Sequence, residues 1–574
     1  MFKYIIQLIK LDKKKKIFFF LLFIFASSIL ESFTIAILLP ILTIIFNGKN
    51  ILLDNLFVKK IELIITYLNS FSEKDIIIHS LIFLIIIFFI KNSFLIYFSW
   101  YKETYNTSLK NHLATKLFKI HLQNKYQNFY RSNSADYTSM ILNQSPILVD
   151  GLTSFLFLLN EAFIFIIIFL FLSIFESTAA FLGLLILILF SIPLYLYTKN
   201  NLRIYSVSHI KHDQKQIKNL NEGFLMFKFI KIHKLENFFV NYFSENNKKY
   251  NEAVKFIVFI SSLPRFIYEF FIMLFVAIVS LILVLKNYNL SSFIPLLGVF
   301  LIVILRLVPS FSKILNSIQK IKTAIPSLNS IKGYLHDSDN KPNKTKDYVK
   351  FESIRLSNIL INFNGQNILK KINLEINKGD KILIEGDSGA GKTTLINIII
   401  GLINFNAGKI FVNKTNFKGK EVFNFIKFGY VPQLNFLIDG SIKDNIVLEK
   451  NYEKNIFKKI IKICLLETFI ANLPNKEKTN IGENGFKISG GQKQRICIAR
   501  VLLERPDILI LDEATNAIDI KTEKKLIHSI NNEFKALTLI MITHRKLDKK
   551  IFSKFITVKN QNLIVKDNIS YVKK

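Results

Sequence analysis

The 574-residue sequence predicts two units of different fold class, an all-α membrane-spanning unit followed by an α/β unit of the phosphate-loop type. Long runs of Ile, Leu and Phe dominate the N-terminal part, and they are too long for the core of a soluble domain. The C-terminal part instead has a short strand-like stretch, KILIE, followed by the glycine-rich run GDSGAGKT and a helical stretch. That order of strand, glycine-rich loop and helix is typical of nucleotide-binding α/β domains.

Six apolar segments are long enough to cross a hydrocarbon core about 30 Å thick, which needs roughly 20 residues per helix. They lie near residues 17–46, 76–100, 150–175, 179–198, 256–285 and 293–312. No secretory signal peptide is implied, because the first run is about twice as long as the apolar region of such a peptide. We therefore predict a membrane domain over residues 1–328, a polar linker over 329–350 that contains Pro342, and a nucleotide-binding domain over 351–574.

Basic residues predict the orientation of this membrane domain. Four lysines at 13–16 precede the first span, and the stretches 101–149 and 199–255 carry many more, whereas residues 176–178 and 286–292 carry little charge. Both termini and the nucleotide-binding domain are therefore expected to be cytoplasmic.

The net charge of +34 could also indicate a nucleic-acid-binding protein. Positive-inside topology and attraction to anionic lipid explain the excess of lysine without such a partner, so we predict no nucleic acid. The two cysteines, Cys464 and Cys497, both lie in the predicted cytoplasmic domain, so no disulfide framework is expected.

The run 386–393 fits the phosphate-loop pattern G-x-x-x-x-G-K-[ST]. In this pattern glycines let backbone N–H groups approach the phosphates, Lys392 reaches the β/γ oxygens and the Thr393 hydroxyl binds Mg²⁺. The stretch ILILDE supplies a buried strand ending in Asp512 and Glu513, the metal-orienting carboxylate and its neighbour. We expect ATP and Mg²⁺ to bind here. The candidate nucleotide contacts of the loop are Gly386, Asp387, Ser388, Gly389, Ala390, Gly391, Lys392, Thr393 and Thr394.

Further motifs separate the sequence from most phosphate-loop enzymes. They are YVPQ with Gln433, KISGGQKQR at 487–495, NAID at 516–519 and ITHR with His544. Their order around the phosphate loop and ILILDE resembles that of ABC-transporter ATPases over residues 351–574. Such signature motifs usually begin with Leu, and this one begins with Ile488. The resemblance implies an ABC ATPase domain joined to a six-helix membrane domain of the ABC exporter type.

The resemblance also implies roles for individual residues. Glu513 is expected to be the general base that polarises the attacking water, and His544 the switch histidine at the γ-phosphate. Gln433 is expected to sense that phosphate and to contact the metal, together with Thr393 and Asp512. A histidine alone is more often a structural residue, but the position of His544 after the apolar run LTLIMIT favours the switch role.

The remaining nucleotide contacts are implied by the same family. Phe363 stands where a tyrosine usually stacks on adenine, and its aromatic face is retained. The other expected contacts are Ser489, Gly490, Gly491, Gln492 and Asp519. In the family the signature residues act across a dimer, so that ATP lies between Lys392 of one copy and Ser489 of the other. Because no catalytic motif is degenerate, we expect a homodimer. Coupling helices that touch the ATPase are implied near 126–137 and 221–230.

Charged residues within the predicted spans bear on what is moved, since each costs about 2.5–3.5 kcal/mol at a helix centre. The cations are Lys91, Arg265 and Arg306, and the acids are Glu31, Glu161 and Glu269. These charges could neutralise one another, as Arg265 and Glu269 lie four residues apart. Alternatively the three cations could line a cavity for an anionic head group such as a phosphate.

Apolar residues also recur at helical spacing between the first two spans. They are Leu53, Phe57, Ile61, Ile64 and Leu68. This pattern predicts a helix at the external membrane surface or one packed on the bundle. With the sequences around Glu31, Arg265 and Arg306, it is similar to bacterial ABC flippases that turn lipid-linked oligosaccharides outward for protein glycosylation.

That second resemblance implies a flippase whose partners are the bilayer and an anionic lipid-linked substrate, a polyprenyl-pyrophosphate-linked oligosaccharide. An exporter of another lipid, a drug or a peptide remains an alternative. A further alternative is an ATP-gated channel or a sensor that hydrolyses ATP without net transport.

Overall fold

The protein is described by a computed structural model that covers residues 14–47, 70–124, 126–127, 133–175, 177–285, 290–337, 348–363, 366–417, 422–448, 451–545 and 549–568. The chain divides into two compact units. The first consists of Met1–Asn124 and Ser132–Asn340, and the second of Lys125–Arg131 and Lys341–Lys574. Of the first predicted coupling segment, 126–137, the structure describes residues 126–127 and 133–137.

The first unit is helical, and each of the six predicted spans lies within one long helix. The helices are α1 (Lys14–Asn47), α2 (Glu73–Gln123), α3 (Ser134–Ser139), α4 (Ser145–Phe175), α5 (Ser177–Leu225), α6 (Phe227–His233), α7 (Glu236–Leu285) and α8 (Leu290–Asp337). Among the residues that the structure describes, two stretches, Lys74–Gln123 and Ser134–Leu170, are long and apolar enough to cross a membrane. The prediction of six long helices is confirmed.

Two boundaries differ from the sequence prediction. Helix α8 continues to Asp337, so the linker prediction is wrong for residues 329–337; Leu328 and Ile331 are buried at helical spacing and extend the helix into polar sequence. The second short helix is α6, which begins later than the predicted segment 221–230 because α5 continues to Leu225. The amphipathic segment 53–68 lies outside the described residues.

Helices α4 and α8 pack closely. A Cβ added to Gly151 of α4 would lie 2.3 Å from the Cβ of Ala324 on α8, so only glycine permits this approach. Leu148, Val149 and Ile331 are buried in the same core. The close packing fixes the height of one helix against the other, and with it the height of their polar residues.

The second unit contains two sheets. Their strands are β1 (Ser353–Phe363), β2 (Gln366–Asn377), β3 (Lys381–Gly386), β4 (Ala407–Val412), β5 (Thr415–Phe417), β6 (Phe428–Val431), β7 (Ile508–Asp512), β8 (Thr538–Ile542), β9 (Lys554–Lys559) and β10 (Asn562–Asp567). The smaller sheet is antiparallel in the order β2-β1-β4-β5, and the larger has the order β10-β9-β3-β8-β7-β6. In the larger sheet β9, β3, β8, β7 and β6 are parallel, and β10 is antiparallel to β9.

Helices connect and cover these strands. They are α9 (Lys392–Ile400), α10 (Ile442–Val447), α11 (Lys454–Ile463), α12 (Glu467–Ala471), α13 (Gly490–Leu503) and α14 (Ile520–Glu533). Both faces of the parallel strands are buried: Leu509 and Leu511 of β7 lie in one core cluster, and Ile508 and Ile510 lie in the other. Cys464 and Cys497 are buried as free thiols in the first of these clusters, which agrees with the expectation of no disulfide.

This topology creates the candidate site. Parallel strands end at the same edge of a sheet, where ligands of α/β folds bind. The ends of β3, β6, β7 and β8 bring together the phosphate loop, Gln433, Asp512 with Glu513, and His544.

Candidate active site

The phosphate loop joins the end of β3 to the start of α9. Gly386 has a φ of 153°, and a Cβ there would lie 2.6 Å from the carbonyl oxygen of Val558. Gly391 precedes the first turn of α9 with a φ of 102°. The buried Lys392 donates from Nζ to the carbonyl oxygens of Gly386 at 2.7 Å and of Asp387 at 2.9 Å. The loop therefore wraps around one ammonium group at a helix N-terminus, which is a site suited to phosphate.

These residues fit a magnesium nucleotide. Asp387, Ser388 and Gly389 are exposed in the loop, and no heavy atom lies within 4 Å of a Cβ built at Gly389. Thr393, Gln433 and Asp512 supply hydroxyl, amide and carboxylate oxygens, the ligands that Mg²⁺ prefers. The cradle and its oxygen donors thus suit a polyphosphate with a hard cation.

Asp512 ends β7 almost completely buried, with 5% of its surface exposed. The hydroxyl of Tyr430, on the neighbouring strand β6, donates to its Oδ2 at 3.0 Å. Burial raises the pKa of Asp512, as does the adjacent Glu513, whereas the hydrogen bond from Tyr430 and the charge of Lys392 lower it. The hydrogen bond from Tyr430 therefore opposes the effect of burial and favours the ionised form of Asp512 that a metal ligand requires.

Glu513 is held by three side chains. Its Oε2 accepts from Nε2 of Gln433 at 2.8 Å and from Nδ2 of Asn516 at 3.0 Å, and Nε2 of His544 lies 3.3 Å from its Oε1. The residue has a φ of 51°, and its N–H donates to the carbonyl oxygen of Ile542 on β8 at 3.0 Å. The structure therefore brings together Glu513, Gln433 and His544 as the sequence predicts.

Two residues of this group were absent from the predicted site. Tyr430 is a polar side chain within an otherwise apolar strand, which is a weak signal without knowledge of its neighbour. Asn516 lies in the turn after the strand, where its backbone N–H donates to the carbonyl oxygen of Glu513 at 3.2 Å. This turn places its side chain beside the Glu513 carboxylate. Both act through contacts that depend on the fold.

The signature motif forms the start of α13. Ser489 caps the helix, since its Oγ accepts from the N–H of Gln492 at 3.3 Å and its own N–H donates to Oε1 of Gln492 at 2.8 Å. A Cβ on Gly491 would lie 2.9 Å from the carbonyl oxygen of Ala517. The N–H of Ala517 donates to Oε1 of Gln494 at 2.9 Å. The signature motif is therefore packed directly on the NAID segment that follows Glu513.

Asp519 and Phe363 have local roles in the fold. Asp519 caps α14, its Oδ1 accepting from the N–H of Thr522 at 2.9 Å, and this contact lowers its pKa. Glu523, on the same helix, is fully buried and forms an ion pair of 3.1 Å with Arg545, the residue that follows His544. The backbone of Phe363 ends β1 opposite Gln366, and its side chain lies outside the described part of the chain. Nucleotide contacts of Asp519 and Phe363 stay predictions.

The cations predicted to contact cargo lie on three helices, Lys91 on α2, Arg265 on α7 and Arg306 on α8. Lys91 lies over the ring of Phe88 on its own helix, 4.2 Å from the centroid. Arg265 and Glu269 are both exposed, and no ion pair joins them. Arg306 lies within α8, with its side chain outside the described residues. Glu161 is buried and pairs with Lys313 at 3.0 Å, a partner that the sequence analysis did not name.

Comparison with known proteins relates the second unit to a protein family. Residues 369–516 match the family model described as ABC transporter. This segment is an ABC transporter ATP-binding domain. The chain is 36% identical over 209 residues to a Staphylococcus aureus protein named as a multidrug export ATP-binding/permease protein, with 36% of each chain covered. It is 35% identical over 230 residues to an ATP-dependent lipid A-core flippase of Desulfotalea psychrophila, covering 39% of this chain and 40% of that one. The matched stretch thus spans well under half the length of these relatives.

The fold match extends further than the sequence match. A solved structure titled as a bacterial Atm1-family ABC exporter with ATP bound covers 96% of this chain and 95% of its own, with a TM-score of 0.75 and 19% identity. The chain therefore has the exporter fold, a helical membrane domain followed by an ABC ATPase domain, as the sequence predicts.

Tyr430→Phe tests the hydrogen bond to the metal-side carboxylate. Removal of the hydroxyl should raise the pKa of Asp512 further, so the acidic limb of the pH profile of ATP hydrolysis should move to higher pH. A hydrogen bond to a charged group contributes about 1.5–3 kcal/mol, so turnover at mildly acidic pH should fall about tenfold or more, with a smaller loss at alkaline pH. Tyr452→Phe, a half-buried tyrosine outside the site, is the control. Superimposable profiles for Tyr430→Phe and the native protein would show that Tyr430 does not tune Asp512.

Proposed function

We propose that this chain is one half of an ATP-driven exporter of the bacterial inner (plasma) membrane, with its nucleotide-binding unit in the cytoplasm. The observation that carries the proposal is the grouping of Gln433, Asn516 and His544 around Glu513, beside Asp512, in a chain that also has six long apolar helices. A general base held beside a metal-side carboxylate is suited to activating water for phosphoryl transfer.

Binding of the nucleotide would first engage Lys392. Its ammonium donates to two loop carbonyl oxygens, and it would exchange these for the β- and γ-phosphate oxygens. Thr393, Gln433 and Asp512 would hold Mg²⁺, which when bound neutralises charge on the phosphates. The aromatic ring of Phe363 would stack on adenine.

Glu513 would then need a free oxygen to accept the proton of the attacking water. Its Oε2 is occupied by Gln433 and Asn516, so one of these amides must release it before the base can act. A γ-phosphate offers Gln433 and His544 a competing acceptor. The same contacts would therefore keep the base inactive until ATP is bound.

The remaining phosphate contacts are proposed to come from a second copy. Ser489, Gly490 and Gly491 lie at the N-terminus of α13, where exposed backbone N–H groups suit an anion. In a homodimer each ATP would lie between Lys392 of one copy and Ser489 of the other, so both copies would be required for hydrolysis.

For the cargo we propose a polyprenyl-pyrophosphate-linked oligosaccharide, moved from the cytoplasmic to the outer leaflet as in protein glycosylation. The membrane unit carries cations within apolar helices, which suits an anionic head group. An exporter of another lipid or of a drug is the second candidate, because the relatives include a protein named as a lipid A-core flippase and one named for multidrug export. A peptide exporter, and an ATP-gated channel or sensor without net transport, are further alternatives.

Stimulation of ATP hydrolysis by candidate cargoes tests this proposal. With the dimer in nanodiscs, lipid-linked oligosaccharide should raise turnover severalfold, because cargo in the membrane unit favours closure of the ATPase pair. Simple phospholipids and hydrophobic drugs should have less effect. The measurement is phosphate release at saturating ATP.

Glu513→Gln supplies the blank for that assay, since loss of a general base typically costs about 10² to 10⁴ in rate. It should still bind ATP. Near-normal turnover of Glu513→Gln would remove Glu513 from the role of base, and greater stimulation by drugs than by lipid-linked sugar would favour the second candidate.

Mixing two inactive variants tests the shared site. Lys392→Ala and Ser489→Arg chains should each hydrolyse ATP slowly alone, whereas their heterodimer places both lesions in one composite site and leaves the other intact. Co-expressed chains should therefore recover activity, up to about half of the native rate in the heterodimer fraction. Purified heterodimers no more active than either variant would contradict two independent shared sites.

A further inference from the structure

The membrane unit contains a cavity of about 460 Å³ between α1, α2, α4 and α8, lined by both apolar and charged side chains. Three lysines and two glutamates line it, together with serine and asparagine side chains. Its charged residues are Glu31, Lys102, Glu161, Lys313 and Lys320. Cavities of roughly 300–1,000 Å³ are typical of small-ligand sites.

Glu161 is a buried carboxylate in the lining of this cavity. Only 4% of its surface is exposed, and its Oε1 accepts from Nζ of Lys313 at 3.0 Å. Its other oxygen, Oε2, is buried without a hydrogen-bond partner among the described residues. A carboxylate that served only to neutralise Lys313 would have both oxygens satisfied, because a buried acceptor without a donor is costly.

A second acceptor lines the same cavity. Oδ1 of Asn316, one turn from Lys313 on α8, is likewise buried without a partner. Asn160 differs, because its Oδ1 accepts from the hydroxyl of Ser27 at 3.1 Å. The two orphaned atoms are both acceptors, so a ligand that donates from hydroxyl or amino groups would complement them.

The lysines that line the cavity would complement a negatively charged group of the ligand. Lys313 is offset by Glu161, whereas Lys320 has no ion-pair partner among the described residues. Lys102 lies over the ring of Phe157, 4.0 Å from its centroid, and its Nζ is 3.7 Å from Oε1 of the exposed Glu103. Lys320 is therefore available to a phosphate, and Lys102 could exchange a long, solvent-exposed ion pair for one.

We infer that this cavity binds a phosphate-bearing head group with adjacent hydroxyl or amino donors, the phosphate at Lys102 and Lys320 and the donors at Glu161 and Asn316. This deepens the proposed function and rests on it for the transport role only, because binding can be measured without nucleotide. Among the described side chains, neither Lys91 nor Arg265 lines the cavity. Of the acids named from sequence, Glu161 becomes a ligand residue.

Binding to the full-length dimer in phosphatidylcholine nanodiscs, without nucleotide, tests the inference. The probes are undecaprenyl-pyrophosphate-linked N-acetylglucosamine, phosphatidylglycerol, phosphatidylmethanol and free glycerol 3-phosphate. Phosphatidylglycerol and phosphatidylmethanol share a phosphodiester, but only the first has hydroxyl donors. Phosphatidylglycerol should therefore bind about tenfold more tightly than phosphatidylmethanol, the effect of one hydrogen bond to a charged group.

Two variants separate the halves of the site. Lys320→Gln should weaken every probe that binds by about tenfold, and Lys322→Gln, on the same helix but outside the cavity, should weaken none. Glu161→Gln should reduce the preference for phosphatidylglycerol over phosphatidylmethanol, because the amide removes an acceptor for the hydroxyl donors, whereas the charge released on Lys313 acts on both lipids alike. If Glu161→Gln does not fold, the two lipids on the native protein still test the donors.

The outcomes are distinct. Binding of free glycerol 3-phosphate as well as the lipids would assign a soluble phosphate ligand, and binding of lipids alone a lipid head group; both support the site. Absence of binding by all four probes, or equal binding to Lys320→Gln and native protein, would overturn it. Binding without ATP-driven movement would refute the transport proposal alone, and movement unaffected by Lys320→Gln and Glu161→Gln would refute the cavity alone.

Discussion

Two adjacent carboxylates at the end of a buried strand are the constraint on which the candidate site of the second unit depends. Asp512 is nearly enclosed, and the neighbouring charge of Glu513 makes its ionisation still harder. Such a pair persists only if donors hold each group in place. Strand β6 supplies Tyr430 and the segment with Gln433, while β8 leads to His544. The parallel order of the sheet is therefore the means by which distant parts of the sequence reach one pair of side chains.

The contacts around Glu513 link that pair to the rest of the unit. Asn516 donates to Glu513, and the next residue, Ala517, contacts the signature helix through Gln494. Arg545 then ties the segment after His544 to the buried Glu523. A movement of Glu513 on binding of the γ-phosphate would thus be transmitted to the signature motif through a short chain of hydrogen bonds. This offers a physical route by which nucleotide binding would alter the interface of the proposed homodimer.

The membrane unit also contains a buried carboxylate, but fewer donors hold it. The pair between Glu161 and Lys313 satisfies one carboxylate oxygen and leaves the other to the cavity. Close packing of α4 on α8 at Gly151 fixes the relative height of these residues. Polar groups in an apolar helix are costly, so their concentration at one cavity favours a function in recognition.

Much of this architecture could be predicted from the sequence, because it rests on local patterns. Apolar runs set the six long helices, and motif spacing identified Lys392, Gln433, Glu513 and His544. Tyr430 and Asn516 lie within the YVPQ and NAID motifs, but their contacts could not be assigned, since Tyr430 bonds to a distant residue and Asn516 depends on the turn after Glu513. Lys313 was overlooked because it lies one residue beyond the predicted limit of the sixth span.

The start of the linker was predicted too early, because the end of α8 also depends on packing. Burial of Ile331 against the helical core carried α8 into a polar stretch, which composition alone could not reveal.

The central claim is that hydrolysis at Glu513 drives movement of a lipid-linked cargo. Its most direct test is the appearance of lipid-linked oligosaccharide on the far leaflet of sealed vesicles, measured by its access to a membrane-impermeant reagent. The account predicts movement that requires ATP and stops in Glu513→Gln vesicles that still bind ATP. Movement at the native rate in Glu513→Gln vesicles, or without ATP, would contradict it and indicate a channel.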